Sequence, residues 1–274
     1  MKCAWNQLIG ILPQWLAAET DKYGRTELQE LRLRLGQPPE LVLGHQSRWL
    51  GRIVSENDLN FVVNAASGYS PWAASSVANG FLTAPGGHRI GLCGDAVIRS
   101  GTMEGIRRIG SVCIRVARDF PGLAGAAAQL KGSILLLGPP GSGKTTLLRD
   151  LSRCISQWET VGVVDERGEL FPEGIVRGKR MDVLTGCGKV QGIDVLLRTM
   201  GPDCVVVDEI TSEWDCEALI RAGWCGIRLM ATAHAASIQD MHRRQIYRSL
   251  INCGLFDHIL VLDRTKSWRE EKLA

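Results

Sequence analysis

Hydrophobic and polar positions follow two different patterns, one before residue 120 and one after it. In the second stretch, short unbroken apolar runs alternate with segments of helical period. SILLL (133–137) is too short for a helix and suits a strand buried on both faces. A Gly/Pro loop follows, then TTLLRDLSRCISQ, whose apolar residues recur at helical spacing. VGVV, a Gly-rich connector, the helix-like IDVLLRTM and the strand CVVVD come next. SEWDCEALIRAGWCG predicts a helix, IRLMATAHA a strand with a loop, DMHRRQIYRSLIN another helix and HILVLD a closing strand. Strand alternating with helix at this interval predicts an α/β domain around a parallel, doubly wound sheet. The polar tail from Lys266 is expected to fray.

The first stretch is patterned otherwise. LQELRLRLGQPPELVLG alternates as a strand pair joined through Pro38 and Pro39, and GFLTAPGGHRIGLCGDAVI has the Gly-rich turn chemistry of hairpins. MKCAWNQLIGILPQWLAAE reads as an amphipathic helix broken at Pro13, not as a signal peptide. The expected organisation is a smaller α+β domain over residues 1–119 and a second domain over 120–274. Phe120, Pro121 and Gly122 form the junction, followed by a small-residue helix in LAGAAAQL.

Composition narrows the classes. At 274 residues, 45% hydrophobic and 22% charged, the chain has the profile of an ordinary soluble globular protein, long enough for two cores. Its net charge is +3, with 13 basic and 10 acidic residues before Phe120, leaving 32 − 13 = 19 and 29 − 10 = 19 from there on. Neither part concentrates positive charge as non-specific nucleic-acid binding requires, so there is no strong nucleic-acid signal. The nine cysteines form no CxxC pair or Cys/His cluster and read as free thiols in a reducing cytosol. No segment reaches the roughly 18 apolar residues of a membrane span, so any work at a membrane is done from its side.

The candidate chemistry lies after residue 130. Gly138, Pro139, Pro140, Gly141, Ser142, Gly143, Lys144, Thr145 and Thr146 match G-x-x-x-x-G-K-[ST] with a strand before and a helix after, the context this motif needs. Glycines let successive N–H groups turn toward phosphate oxygens, and the helix start adds its positive end. Lys144 is expected to reach the β- and γ-phosphates, and the Thr145 hydroxyl to ligate Mg²⁺. The expected ligand is a nucleoside triphosphate with Mg²⁺, and the motif alone leaves ATP and GTP both open.

Two strand ends carry adjacent acids, VVDE (163–166) and CVVVDE (204–209). Mg²⁺ beside a phosphate loop needs a carboxylate from the end of a neighbouring parallel strand. Asp208 fits that metal role, and Glu209 the polarisation of the attacking water. The earlier pair is expected to end the strand next to the phosphate-loop strand. There Glu166 or Asp165 faces the γ-phosphate water from the other side, with Arg167 balancing the charge; an Asp165–Arg167 or Glu166–Arg167 structural ion pair is the alternative. His234, in ATAHA, stands where it could sense the γ-phosphate or serve as a structural residue. Arg198, Arg243, Arg244 and Arg248 are solvated-face residues or charge-stabilising fingers. The Trp- and Ala-rich surroundings of Trp72 and Trp158 suggest no function.

GPPGSGKTTLLRDL, VVDERGEL, LLRTMGPDCVVVDEI and ATAHA, in this order and spacing, resemble the stage III sporulation protein AA family, relatives of the hexameric ATPases that power type II and type IV secretion. LQELRLRLGQPPELVLG and GFLTAPGGHRIGLCG resemble that family's N-terminal domain, so the likeness covers nearly the whole chain. It implies a RecA-like P-loop ATPase core with a parallel twisted sheet behind the N-terminal domain. The assembly it implies is a homo-oligomeric ring, a hexamer. It further implies a place in the mother-cell cytoplasm, peripheral to the membrane, docked on integral membrane proteins of a secretion-like complex between mother cell and forespore. By position, residues 138–146 match Walker A, 205–209 Walker B, 165–169 the acidic box and His234 the histidine box. Secretion enzymes often carry Gly-Glu where this chain has Asp208-Glu209, their cysteine tetrads are absent, and their arginine-rich trans contacts have no unambiguous match here. A RecA-like nucleic-acid-dependent ATPase, a small-molecule kinase and a nucleotide-binding scaffold are the alternatives. The first lacks aromatic–basic stripes and the second an arginine-bearing lid, while Glu209 beside Asp208 suits water activation and turnover.

Overall fold

The structure is a computed structural model that describes residues 3–24, 27–44, 46–68, 80–172 and 174–272. Trp72 lies outside the described residues. The chain forms two compact units, Met1–Asp119 with Pro172–Ile175, and Phe120–Phe171 with Val176–Ala274.

In the first unit, α1 (Trp5–Gly10) and α2 (Gln14–Asp21) are separated at Pro13, which has no N–H to continue a helix and caps the second. Next come β1 (Leu28–Arg34), β2 (Glu40–Leu43) and β3 (Gln46–Trp49). Helix α3 (Glu56–Ala66) starts at a reciprocal Ser55–Asp58 capping box, and β4 (Phe81–Ala84), β5 (His88–Arg99) and β6 (Thr102–Arg115) follow. The sheet order is β3-β2-β1-β6-β5-β4, antiparallel throughout. Leu31 and Leu33 of β1 share one buried core with Leu59 and Val62 of α3 and Leu8 of α1. Each such side chain contributes about 1.5–3 kcal/mol by leaving water.

The second unit contains β7 (Ile134–Leu137), α4 (Lys144–Ile155), β8 (Val161–Asp165), β9 (Met181–Thr185), α5 (Lys189–Thr199) and β10 (Cys204–Ile210). It continues with α6 (Glu213–Trp224), β11 (Arg228–Ala233), α7 (Ile238–Arg243), α8 (Arg248–Asn252), β12 (His258–Leu262) and β13 (Trp268–Glu271). The order is β13-β12-β7-β11-β10-β8-β9, parallel from β12 to β9. Every residue of β7 and β8 is buried, as strands covered by helices on both faces require.

Several expectations are corrected. β8, carrying Asp165 and Glu166 at its end, is not next to β7; β11 and β10 lie between them. Residues 268–271 of the tail are not frayed but form β13, antiparallel to β12. LAGAAAQL is no helix but turns ending in a short 3-10 segment, Ala127–Gln129. Gly122 has φ +89°, and the Gly122 and Ala124 N–H groups donate to the Asp150 carboxylate, which fixes the turn. DMHRRQIYRSLIN breaks at Arg244, whose backbone is extended; Tyr247 then turns inward and donates its hydroxyl to the Ile210 carbonyl. The Gly-rich connector hides β9, too weakly alternating to be read as a strand.

Candidate functional site

A cavity of about 780 Å³ opens at the carboxyl ends of β7, β10 and β11, within the second unit. Loop residues 140–146 line it together with Asp208, Glu209, Thr232 and His234. The loop takes its shape from glycines placed where no side chain fits. A Cβ on Gly138 would lie 2.7 Å from the Leu262 carbonyl oxygen and 2.6 Å from the Ser142 hydroxyl. Gly143 caps α4 in the left-handed region at φ +95°, aiming the helix start at the cavity. The Ser142 hydroxyl is buried without a hydrogen-bond partner, an orphan donor in the middle of the loop.

Lys144, the first residue of α4, is buried. Its ammonium donates to the Gly138 carbonyl at 2.8 Å and the Pro139 carbonyl at 3.0 Å, and lies 3.2 Å from His234 Nδ1. Burial lowers its pKa, opposed by the negative charges of Asp208 and Glu209. An ammonium only donates, so His234 Nδ1 is the acceptor and the ring proton sits on Nε2. Nε2 donates to Glu209 Oε1 at 3.0 Å, and Glu209 Oε2 accepts from Arg167 Nη1 at 2.6 Å. Lys144, His234 and Glu209 thus form one hydrogen-bonded row across the cavity wall, which Arg167 continues beyond it.

Asp208 accepts at both oxygens, from the Thr145 hydroxyl at 2.8 Å and the Thr232 hydroxyl at 2.5 Å. Thr232 also receives the Glu209 backbone N–H at 2.8 Å. This fully buried threonine therefore fixes the positions of both acids, although in RLMATA it reads as one polar residue in an apolar strand. Glu209 sits at φ +54° where the β10–β11 register shifts. A left-handed backbone costs a non-glycine residue about 1–2 kcal/mol, strain that the surrounding bonds hold in place.

The Thr145 hydroxyl and Asp208 carboxylate are hard oxygen donors side by side at the loop, a set that suits Mg²⁺. Among the described residues no group of three or more His, Cys, Asp or Glu is placed to hold a metal. The pair therefore fits an ion that takes its remaining ligands from water and phosphate.

The earlier acids are placed differently from expectation. Asp165 is buried, and its carboxylate accepts the N–H groups of Glu169, Leu170 and Phe171 at 2.8, 3.1 and 2.8 Å, closing the loop after β8. Arg149 of α4 grips the same loop through the Glu169 and Leu170 carbonyls. Glu166 pairs with the buried Lys189 and does not line the cavity. Arg167 pairs with neither of its acidic neighbours in sequence but with Glu209. Arg198, Arg243, Arg244 and Arg248 are exposed and do not line the cavity, and Arg244 pairs with Asp240 one turn away. Lys189, Arg149 and Thr232 were not singled out from sequence, because their roles depend on pairings 20 or more residues apart.

The parallel sheet, the loop between β7 and α4 and the carboxylates at the end of β10 define a RecA-like P-loop fold. The structure resembles the Legionella pneumophila ATPase DotB, at TM-score 0.62 and 14% identity over 94% of this chain and 79% of that one. It also resembles the pilus retraction motor PilT with bound ADP, at TM-score 0.62 and 16% identity over 90% and 76% of the two chains. Residues 6–270 match the family described as Sporulation stage III, protein AA. The stage III sporulation protein AA of Bacillus subtilis (strain 168) is 33% identical over 95% of this chain and 92% of its own length. The competence protein ComGA of Streptococcus pneumoniae is 28% identical over 50% and 42% of the two chains. This chain belongs to the sporulation stage III protein AA family.

Proposed function

We propose that the second unit binds Mg²⁺–ATP in the cavity and hydrolyses it to ADP and phosphate. The observation that carries this reading is one cavity wall holding the phosphate loop, the Thr145–Asp208 pair and Glu209. Backbone N–H groups of residues 141–146 and the start of α4 bind the phosphates. Lys144 exchanges its loop carbonyls for β- and γ-phosphate oxygens. Thr145 and Asp208 would hold the ion, which when bound would neutralise charge developing on the transferred phosphoryl group. Glu209 accepts a proton from the attacking water, and its strained backbone fixes where that carboxylate points. His234 links Lys144 to Glu209, so a phosphate that draws Lys144 away also releases the imidazole on which Glu209 leans.

At the scale of the assembly, the proposal is a ring-forming motor, a hexamer, on the mother-cell side of the membrane, energising integral membrane proteins of a secretion-like sporulation complex. Family membership and the likeness to DotB and PilT support it. The test is phosphate release with Mg²⁺–ATP at several protein concentrations, paired with mass in solution with and without ATP. A hexamer whose specific activity rises with concentration is expected; a fully active monomer would remove the ring from the account.

A further inference from the structure

The loop after β8 sends two neighbouring side chains to different partners. The Gly168 N–H donates to the Asp165 carbonyl at 3.2 Å, closing a turn with Glu166 and Arg167 at its centre. Glu166 is taken by the buried ammonium of Lys189, which also lies 3.8 Å from Asp215. Arg167 reaches instead across to the end of β10, where Nη1 donates to Glu209 Oε2 at 2.6 Å. The turn that carries it is held on two sides. Asp165 accepts three N–H groups of the residues that follow, and Arg149 of α4 holds the Glu169 and Leu170 carbonyls. None of these bonds passes through Lys144 or His234.

Arg167 does not line the phosphate-loop cavity. It lines a small cleft beside that cavity, and the two share Glu169, Asp208 and Glu209. The guanidinium therefore meets Glu209 from the side away from the phosphate loop. Each Glu209 oxygen has its own donor: His234 Nε2 serves Oε1 inside the cavity and Arg167 serves Oε2 outside it. The left-handed backbone of Glu209 sets where its side chain starts, but the torsions beyond Cα still leave the carboxylate free to swing. When phosphate draws Lys144 away and His234 lets go of Oε1, the Arg167 contact is the one that stays.

We propose that Arg167 is the positioning residue of the water-activating acid: its guanidinium holds Glu209 Oε2 from behind, so that the Oε1 released by His234 faces the attacking water. The inference rests on the reading of Glu209 above and adds the group that aims it. Aim matters because a catalytic group about 1 Å out of place can lose roughly 10²-fold in rate. The pair is open to solvent, with the Arg167 side chain 53% exposed, and exposed ion pairs contribute little to folding. Loss of the arginine is therefore expected to act on turnover and not on stability.

The test is ATP binding by calorimetry and phosphate release, both with Mg²⁺, for the full chain and its Arg167→Ala, Arg167→Lys, Glu209→Gln and doubly substituted Arg167→Ala/Glu209→Gln variants. Arg167→Ala is expected to lower kcat roughly tenfold or more, while ATP affinity stays within about twofold and the urea midpoint is unchanged. Arg167→Lys, which keeps a charge and a donor for this single N–H contact, should recover part of the loss. The double variant should release phosphate no more slowly than Glu209→Gln alone, because without the carboxylate there is nothing to aim. Unchanged release by Arg167→Ala overturns the inference, and faster release does so by making the contact a brake. Slowing that adds to that of Glu209→Gln, no recovery in Arg167→Lys, or a loss of ATP affinity as large as the loss of kcat also overturns it. In each of those cases a slow Glu209→Gln leaves the reading of Glu209 standing. Normal release by Glu209→Gln overturns that reading, and this inference with it.

Discussion

Thr232 shows how much of the site rests on one small side chain. Its hydroxyl donates to Asp208 and accepts from the Glu209 backbone, so Thr232→Val would leave a buried N–H and a carboxylate oxygen without a partner. The expected cost is about 1–3 kcal/mol, read as a lower urea midpoint, together with slower phosphate release. An unchanged midpoint would mean that the acids are positioned by other contacts. His88 is a second residue whose environment sets its chemistry. Its Nδ1 accepts the Ala117 N–H, so Nε2 carries the proton toward the Ala4 carbonyl. Burial lowers its pKa, and a second proton would point at the Ala117 N–H. The folded state therefore binds fewer protons than the unfolded chain, whose histidine titrates near about 6.5. This contribution to stability is complete above that pH and is lost as pH falls through it. Urea unfolding of the first unit at pH 7 and pH 5 should show the loss, and His88→Gln should remove it; an equal slope in the variant would assign it elsewhere.

The elements were legible where sequence pattern and burial coincide. SILLL, VGVV and CVVVD are continuous apolar runs, and each is a strand covered on both faces. The phosphate loop was legible because its glycines answer local demands, such as Gly138 beside the Leu262 carbonyl. Strand order was not, since nothing in VVDE reports that β10 and β11 separate it from β7. For the same reason Asp165 reads as a catalytic acid in sequence, whereas in the fold it closes a loop through three N–H groups. Asp165→Ala would strand those buried donors and lower stability by about 2–4 kcal/mol, measured by urea unfolding, with Asp165→Asn losing less. No change in Asp165→Ala would show that Arg149 alone holds the loop. The tail was misread because polarity was taken for disorder. β13 is polar, yet its backbone pairs with β12, and Glu271 accepts the Ile238 N–H. Hydrogen exchange should therefore protect amides in residues 268–271; exchange as fast as in an unstructured peptide would contradict the pairing.

At the scale of the whole molecule, two separately cored units divide the chain, and the candidate site lies within the second. The central claim is that this unit turns over nucleotide with Glu209 as the water-activating acid. The most direct test measures ATP binding and phosphate release side by side for the unaltered chain, Lys144→Ala and Glu209→Gln. Predicted are loss of binding or turnover in Lys144→Ala, and in Glu209→Gln retained ATP binding with phosphate release slowed roughly 10²-fold or more. Normal phosphate release by Glu209→Gln would contradict the account.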